Sequence, residues 1–261
     1  MAQHQQYWEK ETEGYNVVVN FSQGERKKYP AKIMQTISTE EISRIAKRFS
    51  VGAAGVNLFL CHLAYSVSLG CQNLAINVAE QNRSRKYRKT IGTFATTLFH
   101  RVRFSPDSSL HEALVGSFRK LDENFSHSRC IAPKKTPFIF SYENFLGREA
   151  ADLKLGDAAV ENYMGTLEAK VWNIFSMLIF EGKEQIIYKV GYDEEVFGED
   201  MIRRFKEAFA LGTKVLSVKI RHMRRSLRRY SKGSEHGKTH GETLDGRTFP
   251  FGAAEVGRFF F

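Results

Sequence analysis

The residues best able to carry chemistry, eight histidines and three cysteines, are scattered along the chain. Cys61, Cys71 and Cys130 have neither the spacing of a metal site nor the number expected of a disulfide framework. The sequence contains no Gly-x-x-x-x-Gly-Lys-Ser/Thr loop, no Gly-x-Ser-x-Gly turn and no His-Glu-x-x-His pair. His236 and His240 have the spacing of a helical metal pair, but the glycines around them disfavour a helix. The sequence therefore predicts no complete active site within this chain.

A stretch from residue 98 to residue 104 alternates in character, which predicts a half-buried strand. One face carries Leu98, His100, Val102 and Phe104, and the other carries Phe99, Arg101 and Arg103. Because an unpaired guanidinium is costly to bury, we expect the arginine face to meet water, a carboxylate or a ligand.

The elements before this strand are predicted from periodicity and caps. Residues Tyr15–Phe21 and Tyr29–Ile37 are β-prone, and residues 74–78 form a further strand. Ser38 begins a helix, with Glu41 as its capping-box partner. A second helix, Ala53–Leu69, is nearly apolar and therefore buried; its His62 is interpreted as a core residue.

The elements after the strand complete an alternating α/β pattern. A helix follows Pro106, with an apolar stripe that includes Leu121 and Phe125. Four strands are then predicted, at Pro137–Phe145, Ala159–Tyr163, Val171–Phe180 and Gln185–Tyr192. The last two form a hairpin, and a final helix follows residue 198 with apolar residues at helical spacing.

Residues 91–101 resemble the Ile-Gly-x-Phe-Val-Asn-Thr-x-x-x-Arg motif of nonribosomal peptide synthetase condensation domains. The matching residues are Ile91, Gly92, Phe94, Thr97 and Arg101, whereas Ala95 and Thr96 replace the Val and Asn. Other resembling segments follow in the family's order: Tyr7-Trp8, residues 73–83, a hairpin at residues 180–197 and a final helix. The resemblance covers roughly residues 7–220, and only the C-terminal lobe of the family.

The resemblance implies an α/β fold, with a mixed β-sheet and helices packed on one face, like one lobe of the chloramphenicol-acetyltransferase-like fold. We expect residues 1–14 to be an N-terminal linking segment, residues 15–220 to be the lobe and residues 221–261 to be a basic, disordered tail. One face of the sheet would meet another lobe, so exposed aromatic area is expected there.

In this family, the resemblance implies, a carrier-bound amine attacks a carrier-bound acyl thioester. The second histidine of a His-His-x-x-x-Asp-Gly motif in the N-terminal lobe positions or deprotonates the amine. This chain has no His-His pair, so we expect no catalytic residue in it. The segment most similar to this motif begins at His240, but it has four residues, not three, between the histidine and Asp245-Gly246. The motifs that usually follow the central strand are reduced to Pro133 and residues 136–138, which weakens the case for a conventional amino-acid acceptor site.

The resemblance implies that this chain lines part of a substrate tunnel or lobe interface. The residues expected there are Arg83, Thr96, Thr97, His100, Arg101, Tyr142 and Trp172. The implied partners are a condensation-domain N-terminal lobe and acyl or peptidyl carrier proteins. The chain itself would bind no cofactor, because its substrates are carried on the carriers' 4′-phosphopantetheine. The expected function is a contribution to amide-bond formation; the alternative is a non-catalytic, degenerate or truncated module that docks carriers or synthetase subunits.

Charge and hydropathy bound the remaining possibilities. The net charge is +10, and the acid-free stretch from Lys219 to Lys232 contributes seven of those charges. Nucleic-acid binding would rest on this charge alone and ranks below the other two functions. The basic loop Gln81–Lys89 is either solvated or a contact for an acidic carrier or a phosphate. No apolar run reaches the ~20 residues of a membrane span, and the N-terminus lacks a signal pattern, so we expect a cytoplasmic protein without a membrane partner.

Overall fold

The protein is described by a computed structural model at residues 2–17, 32–83, 85–87, 89–105, 107–130, 132, 136–144, 154–155, 158–159 and 175–218. The described helices are α1 (Ala2–Thr12), α2 (Thr39–Phe49), α3 (Ala53–Leu69), α4 (Leu110–Ser126) and α5 (Glu199–Ser217), with a short 3-10 turn at Arg85–Tyr87. The described strands are β1 (Lys32–Ser38), β2 (Asn73–Glu80), β3 (Thr96–Arg103), β4 (Phe138–Glu143), β5 (Lys154–Leu155), β6 (Ala158–Ala159), β7 (Phe175–Glu181) and β8 (Gln185–Tyr192).

Six of these strands form one mixed sheet in the order β1-β8-β7-β4-β2-β3, and β5 and β6 form a separate two-stranded ladder. The central strands β2, β4 and β7 are parallel, while β3, β8 and β1 are antiparallel to their neighbours. This arrangement confirms the expected α/β class with a mixed sheet. It also collects the carboxyl ends of three parallel strands at one edge, where α/β proteins commonly bind ligands.

Helices α2 to α5 cover one face of the sheet, with α3 at the centre between α5 and α4. The apolar sequence of α3 explains its position, because thirteen of its seventeen residues are buried. Close packing on α5 is possible because Gly212 lacks a side chain: a Cβ there would lie 2.9 Å from Leu63 Cδ2. The core is rich in aromatic pairs, such as Tyr65 against Phe138, Phe175 and Phe205.

The alternation along the strands decides which side chains face the helices. On β7 the buried residues are Phe175, Met177, Ile179 and Glu181, and the residues between them are half-buried. On β4, Phe138, Phe140 and Tyr142 share the helix-facing side, as their spacing predicts. The opposite face carries half-buried apolar residues, including Leu178 and Phe180.

The first helix belongs to the packed body. Trp8 and Thr12 are buried, and Trp8 Nε1 donates to the carbonyl of His127 at the end of α4, at 3.0 Å. The described residues therefore show no break in packing at residue 15, where the linking segment was expected to end. The expected tail at residues 221–261 lies outside the described residues.

Helix caps differ from expectation in an instructive way. Ser38 is the N-cap of α2, but its side chain makes no capping hydrogen bond, and Glu41 instead accepts from Ser217 Oγ. The capping box occurs on α4, where Ser109 and Glu112 satisfy each other's backbone amides. Both helices begin with a Ser-x-x-Glu sequence, but only α4 forms the capping box. On α2 the glutamate accepts a hydrogen bond from Ser217 on α5.

Several boundaries move by a few residues. Tyr15–Val17 is irregular and the rest of that predicted strand lies outside the described residues, as does most of Ala159–Tyr163. Phe125 was expected in the stripe of α4 but is exposed. No single described helix is both long and apolar enough to cross a membrane; α2 and α3 reach that threshold only as a pair bent by 94°.

Candidate functional site

The candidate site lies at the edge of the sheet where β2 and β4 end and β3 begins. Thr96 pairs with Glu80 and Thr97 pairs with Ala79 across the antiparallel ladder. Val78 pairs with Phe140, so two residues further along Glu80 and Tyr142 lie at the same level on the helix-facing side. Three strands therefore bring Thr96, Glu80 and Tyr142 into one polar row.

A loop rises from this edge and is organised by Arg83. We call residues 83–95 the Arg83 loop; positions 84 and 88 lie outside the described residues. The Arg83 guanidinium donates to the carbonyl oxygens of Tyr87 (2.9 Å), Gly92 (3.0 Å) and Thr90. It also lies over the Phe94 ring, 4.3 Å from the centroid, and Tyr87 stacks on that ring. The Arg83 side chain thus links the two arms of the loop, residues 85–90 before Ile91 and residues 92–95 after it.

The Arg83 loop presents an apolar tip within a basic surface. Ile91 is 100% exposed and Tyr87 is 41% exposed, which is unusual for large apolar side chains on a structured loop. Arg85, Lys86 and Lys89 are also exposed. The loop sequence contains no acid, so these charges have no local partner within it. Such a surface suits a partner that offers an apolar pocket and acidic residues.

Glu80 is a member of the row that the sequence analysis did not single out. Its Oε2 atom is buried and has no hydrogen-bond partner among the described residues, and burial raises the pKa of its carboxyl. An unpaired carboxyl can accept a hydrogen bond or hold an amine. The sequence feature that could have identified Glu80 is an acidic residue at the end of an otherwise mostly apolar strand, directly before a basic loop.

His100 lies away from this row, in the core. It is 0% exposed, its Nε2 is 3.1 Å from Ser117 Oγ, and its Nδ1 is 3.2 Å from Asn124 Nδ2. Its ring also meets His62 edge to face at 5.0 Å. The expectation that His100 lines a tunnel or interface is corrected here, because the helix-facing side of β3 is closed by α3 and α4.

Arg101 points to the opposite face and is almost fully buried. Its Nη1 donates to the carbonyls of Glu11 (3.0 Å) and Glu13 (2.7 Å), and its Nε donates to Asn73 Oδ1 at 2.7 Å. The guanidinium also lies over the ring of Tyr15. Arg101 was expected to meet water, a carboxylate or a ligand, but it donates instead to Asn73 and to backbone carbonyls at the end of α1. In this chain it anchors α1 to the sheet.

The sequence-predicted residues thus divide into two groups. Arg83, Thr96, Thr97 and Tyr142 come together at one edge of the sheet, while His100 and Arg101 lie mid-strand on opposite faces. Trp172 lies outside the described residues. Within the described part of the chain, no group of three or more His, Cys, Asp or Glu side chains could hold a metal ion.

Comparisons with solved structures identify the fold. The condensation domain of the Monacolin K polyketide synthase MokA matches with a TM-score of 0.62 at 16% identity, over 83% of this chain and 57% of that one. The first condensation domain of the CDA synthetase matches with a TM-score of 0.60 at 12% identity, over 83% and 51%. The epimerization domain from the third module of tyrocidine synthetase B matches with a TM-score of 0.63 at 12% identity, over 82% and 55%.

The sequence itself gives no such match: no family model and no curated protein resembles the chain closely enough to be counted. The structural likeness therefore rests on topology and core shape. The chain spans only about half the length of the solved domains that it matches. The mixed six-stranded sheet with its helix layer has a condensation-domain-like fold.

Proposed function

We propose that this chain is the C-terminal lobe of a nonribosomal peptide synthetase condensation domain and contributes to amide-bond formation between carrier-tethered substrates. The observation that carries the proposal is the coverage: 83% of this chain superposes on 57% and 51% of two condensation domains. Most of this chain is matched, but only about half of each condensation domain is matched. A second lobe would supply the remaining half. That lobe would carry the His-His-x-x-x-Asp-Gly motif.

The Arg83 loop is the part of the described surface that best suits contact with the second lobe. Covering a fully exposed isoleucine contributes roughly 1.5–3 kcal/mol to association. Because Arg83 already fixes the backbone on either side of Ile91, little further ordering would be needed on binding. The polar row of Thr96, Glu80 and Tyr142 at the root of the loop would then face the space between the lobes.

The chemistry would be shared between the lobes. The acceptor amine nitrogen forms a bond to the thioester carbonyl carbon, the carbon–sulfur bond breaks, and the sulfur leaves with the donor's phosphopantetheine arm. The proton of the amine passes to the histidine of the second lobe and then to the departing thiolate. This chain would help to orient the substrates, and the exposed cations Arg85, Lys86 and Lys89 would attract acidic carriers and the phosphate of their arms.

The proposal is tested by amide formation from two loaded carrier proteins. The chain is mixed with an N-terminal condensation lobe that contains the His-His-x-x-x-Asp-Gly motif, encoded beside it or cut from a solved condensation domain. We expect product only when both lobes are present, and none when the second histidine of the partner lobe is replaced by alanine. Failure of every lobe pair to form product would overturn the proposal.

The alternative is a non-catalytic module that docks carriers or synthetase subunits. The exposed Ile91 within a basic loop favours it, because such a surface suits docking whether or not a reaction follows. The same mixture separates the two functions, since a docking module would bind a lobe or carrier without forming product.

A further inference from the structure

A pair of histidines joins the start of α1 to the end of α4, away from the polar row. His4 Nδ1 lies 3.1 Å from His127 Nδ1, and the rings meet edge to face at 5.0 Å between centroids. His127 is held in place by neighbours: the Tyr7 ring stacks on it at 3.8 Å and 8°, and Trp8 Nε1 donates to its carbonyl. Tyr7 in turn donates to Asn124 Oδ1 at 2.7 Å. One imidazole of the pair is therefore preorganised.

Two imidazole nitrogens at this distance need either a hydrogen or a metal ion between them. A neutral imidazole carries one proton, so each Nδ1 is either a donor or a lone pair. If both rings carry their proton on Nε2, two lone pairs meet at 3.1 Å and repel. A proton on one Nδ1 relieves that repulsion, and so does a metal ion that accepts both lone pairs.

We propose that His4 and His127 form a bidentate site for a divalent transition-metal ion such as Cu²⁺ or Zn²⁺. Metal–nitrogen bonds of about 2.0–2.1 Å span the observed separation at an N–metal–N angle of about 100°, close to both square-planar and tetrahedral values. A modest rotation of the His4 ring, which is only partly buried, turns its lone pair toward the shared ion. Water completes the coordination, so the site binds reversibly and links α1 to α4.

The surroundings limit the affinity and make it depend on pH. Partial burial lowers the pKa of His4, and the nearby His127, the N-terminal amine and Arg129 lower it further, so His4 is neutral and able to bind metal at neutral pH. Lys120 lies 5.6 Å from the Tyr7 ring, but its ammonium is paired with Glu11 and Glu123 at 3.0 and 2.7 Å. The N-terminal amine and Arg129 remain as cations that oppose the metal. Acidification should release the ion, because protons compete with the metal for the His4 ring.

Trp8 provides the readout, because Cu²⁺ quenches the fluorescence of a nearby indole. The full chain is used with Trp172→Phe, which leaves Trp8 as the sole tryptophan, and with His236→Ala and His240→Ala to remove the other histidine pair. We expect saturable one-to-one quenching at neutral pH, reversed by a chelator and lost at about pH 5. His4→Ala and His127→Gln should each weaken binding at least tenfold, whereas His111→Ala, an exposed control on α4, should not.

Zn²⁺ is the second probe: in large excess it should displace Cu²⁺, and it should raise the melting temperature of the parent chain only when both histidines are present. Circular dichroism of each variant checks that α1 remains folded. Equal Cu²⁺ affinity in the parent and His4→Ala chains, or unchanged Trp8 emission in the parent, would overturn the proposal and leave a pair that shares only a proton.

Discussion

His62 and His100 show how the same residue type can be excluded from chemistry by its surroundings. Both are completely buried, and their rings meet between α3 and β3. Burial lowers the pKa of His62 well below its usual value, and burial followed by the charge of Lys120 lowers the pKa of His100 to about 3. Both imidazoles are therefore neutral in the folded state. His100 makes its hydrogen bonds with Ser117 and Asn124.

These depressed pKa values predict acid sensitivity. Between about pH 6.5 and pH 3 the unfolded chain binds a proton at His100 and the folded chain does not, so the free energy of unfolding falls as the pH falls through that window. The slope attributable to one such proton is up to about 1.4 kcal/mol per pH unit. Urea unfolding at several pH values should show a shallower slope in His100→Gln than in the parent.

The exposed His111→Gln variant is the control and should keep the parent slope. His100→Gln will itself lower stability at every pH, because Ser117 and Asn124 lose part of their hydrogen bonding. The variants are therefore compared by the slope of the free energy of unfolding against pH. Parallel pH profiles for His100→Gln and the parent would show that His100 is not held neutral in the folded chain.

Arg101 is predicted to act through stability. Arg101→Lys removes the fork that reaches Asn73 and the carbonyls of Glu11 and Glu13 together, and it should lower the free energy of unfolding by about 1.5–3 kcal/mol. Chemical denaturation measures the change. Arg103→Lys, on the same strand but exposed, should change it little. Equal effects of the two variants would contradict the anchoring role.

At the scale of elements, two helical glycines have opposite surroundings. A Cβ at Gly55 of α3 would lie 2.6 Å from Phe118 Cδ2 of α4, whereas a Cβ at Gly116 of α4 meets nothing within 4 Å. Gly116→Ala should raise the free energy of unfolding by about 0.8–1 kcal/mol through helix propensity. Gly55→Ala gains the same propensity but forces Phe118 to move, which costs about 1–3 kcal/mol.

Thermal or urea unfolding of the two alanine variants measures the contrast. Gly55→Ala should be the less stable by about 1–3 kcal/mol, since the helix-propensity gain is common to both. Combining Gly55→Ala with Phe118→Leu, which removes ring atoms, should recover part of the loss. Similar stabilities for the two alanine variants would mean that α3 and α4 do not pack as closely as described.

The Arg83 loop gives a local prediction. Arg83→Lys keeps the charge but cannot reach three carbonyl oxygens, so the loop should open while the rest of the fold remains intact. Amide hydrogen exchange should speed up severalfold for residues 89–95 and stay unchanged in α3. Arg85→Lys is the control because Arg85 is exposed. Unchanged exchange in Arg83→Lys would refute the tie between the two arms of the loop.

Elements with strong periodicity could be predicted from sequence, and elements decided by distant contacts could not. The apolar run of α3 and the alternation of β3, β7 and β8 specify element type directly. The N-terminal residues read as polar and loosely attached, because their docking depends on Arg101, some ninety positions away. Glu41 illustrates the same limit, since its carboxylate accepts a hydrogen bond from Ser217 on α5 and does not cap α2.

The candidate site was predicted only in part for a related reason. Sequence spacing places Thr96, Thr97 and Arg101 on one strand, but it does not say which face the helices close. The packing of α3 and α4 on the His100 side and of α1 on the Arg101 side removes both residues from the open surface. Arg83 keeps its place at the edge because β2 ends just before it.

At the scale of the whole molecule, the chain has a condensation-domain-like fold while matching about half the length of such domains. The most exposed large apolar residue of the described part, Ile91, lies on a basic loop held by Arg83, beside the carboxyl ends of parallel strands. We propose that a second lobe covers this edge. If so, association should depend on Ile91 and not on other exposed apolar side chains.

Sedimentation velocity of the chain mixed with an N-terminal condensation lobe tests whether a second lobe binds at this edge. We predict a one-to-one complex that Ile91→Asp weakens at least tenfold, while Leu211→Asp, an equally apolar but distant exposed site on α5, leaves it unchanged. The loop cations predict that salt weakens the complex as well. A chain that sediments alone beside every lobe, or a complex that Ile91→Asp does not weaken, would show that no second lobe covers Ile91.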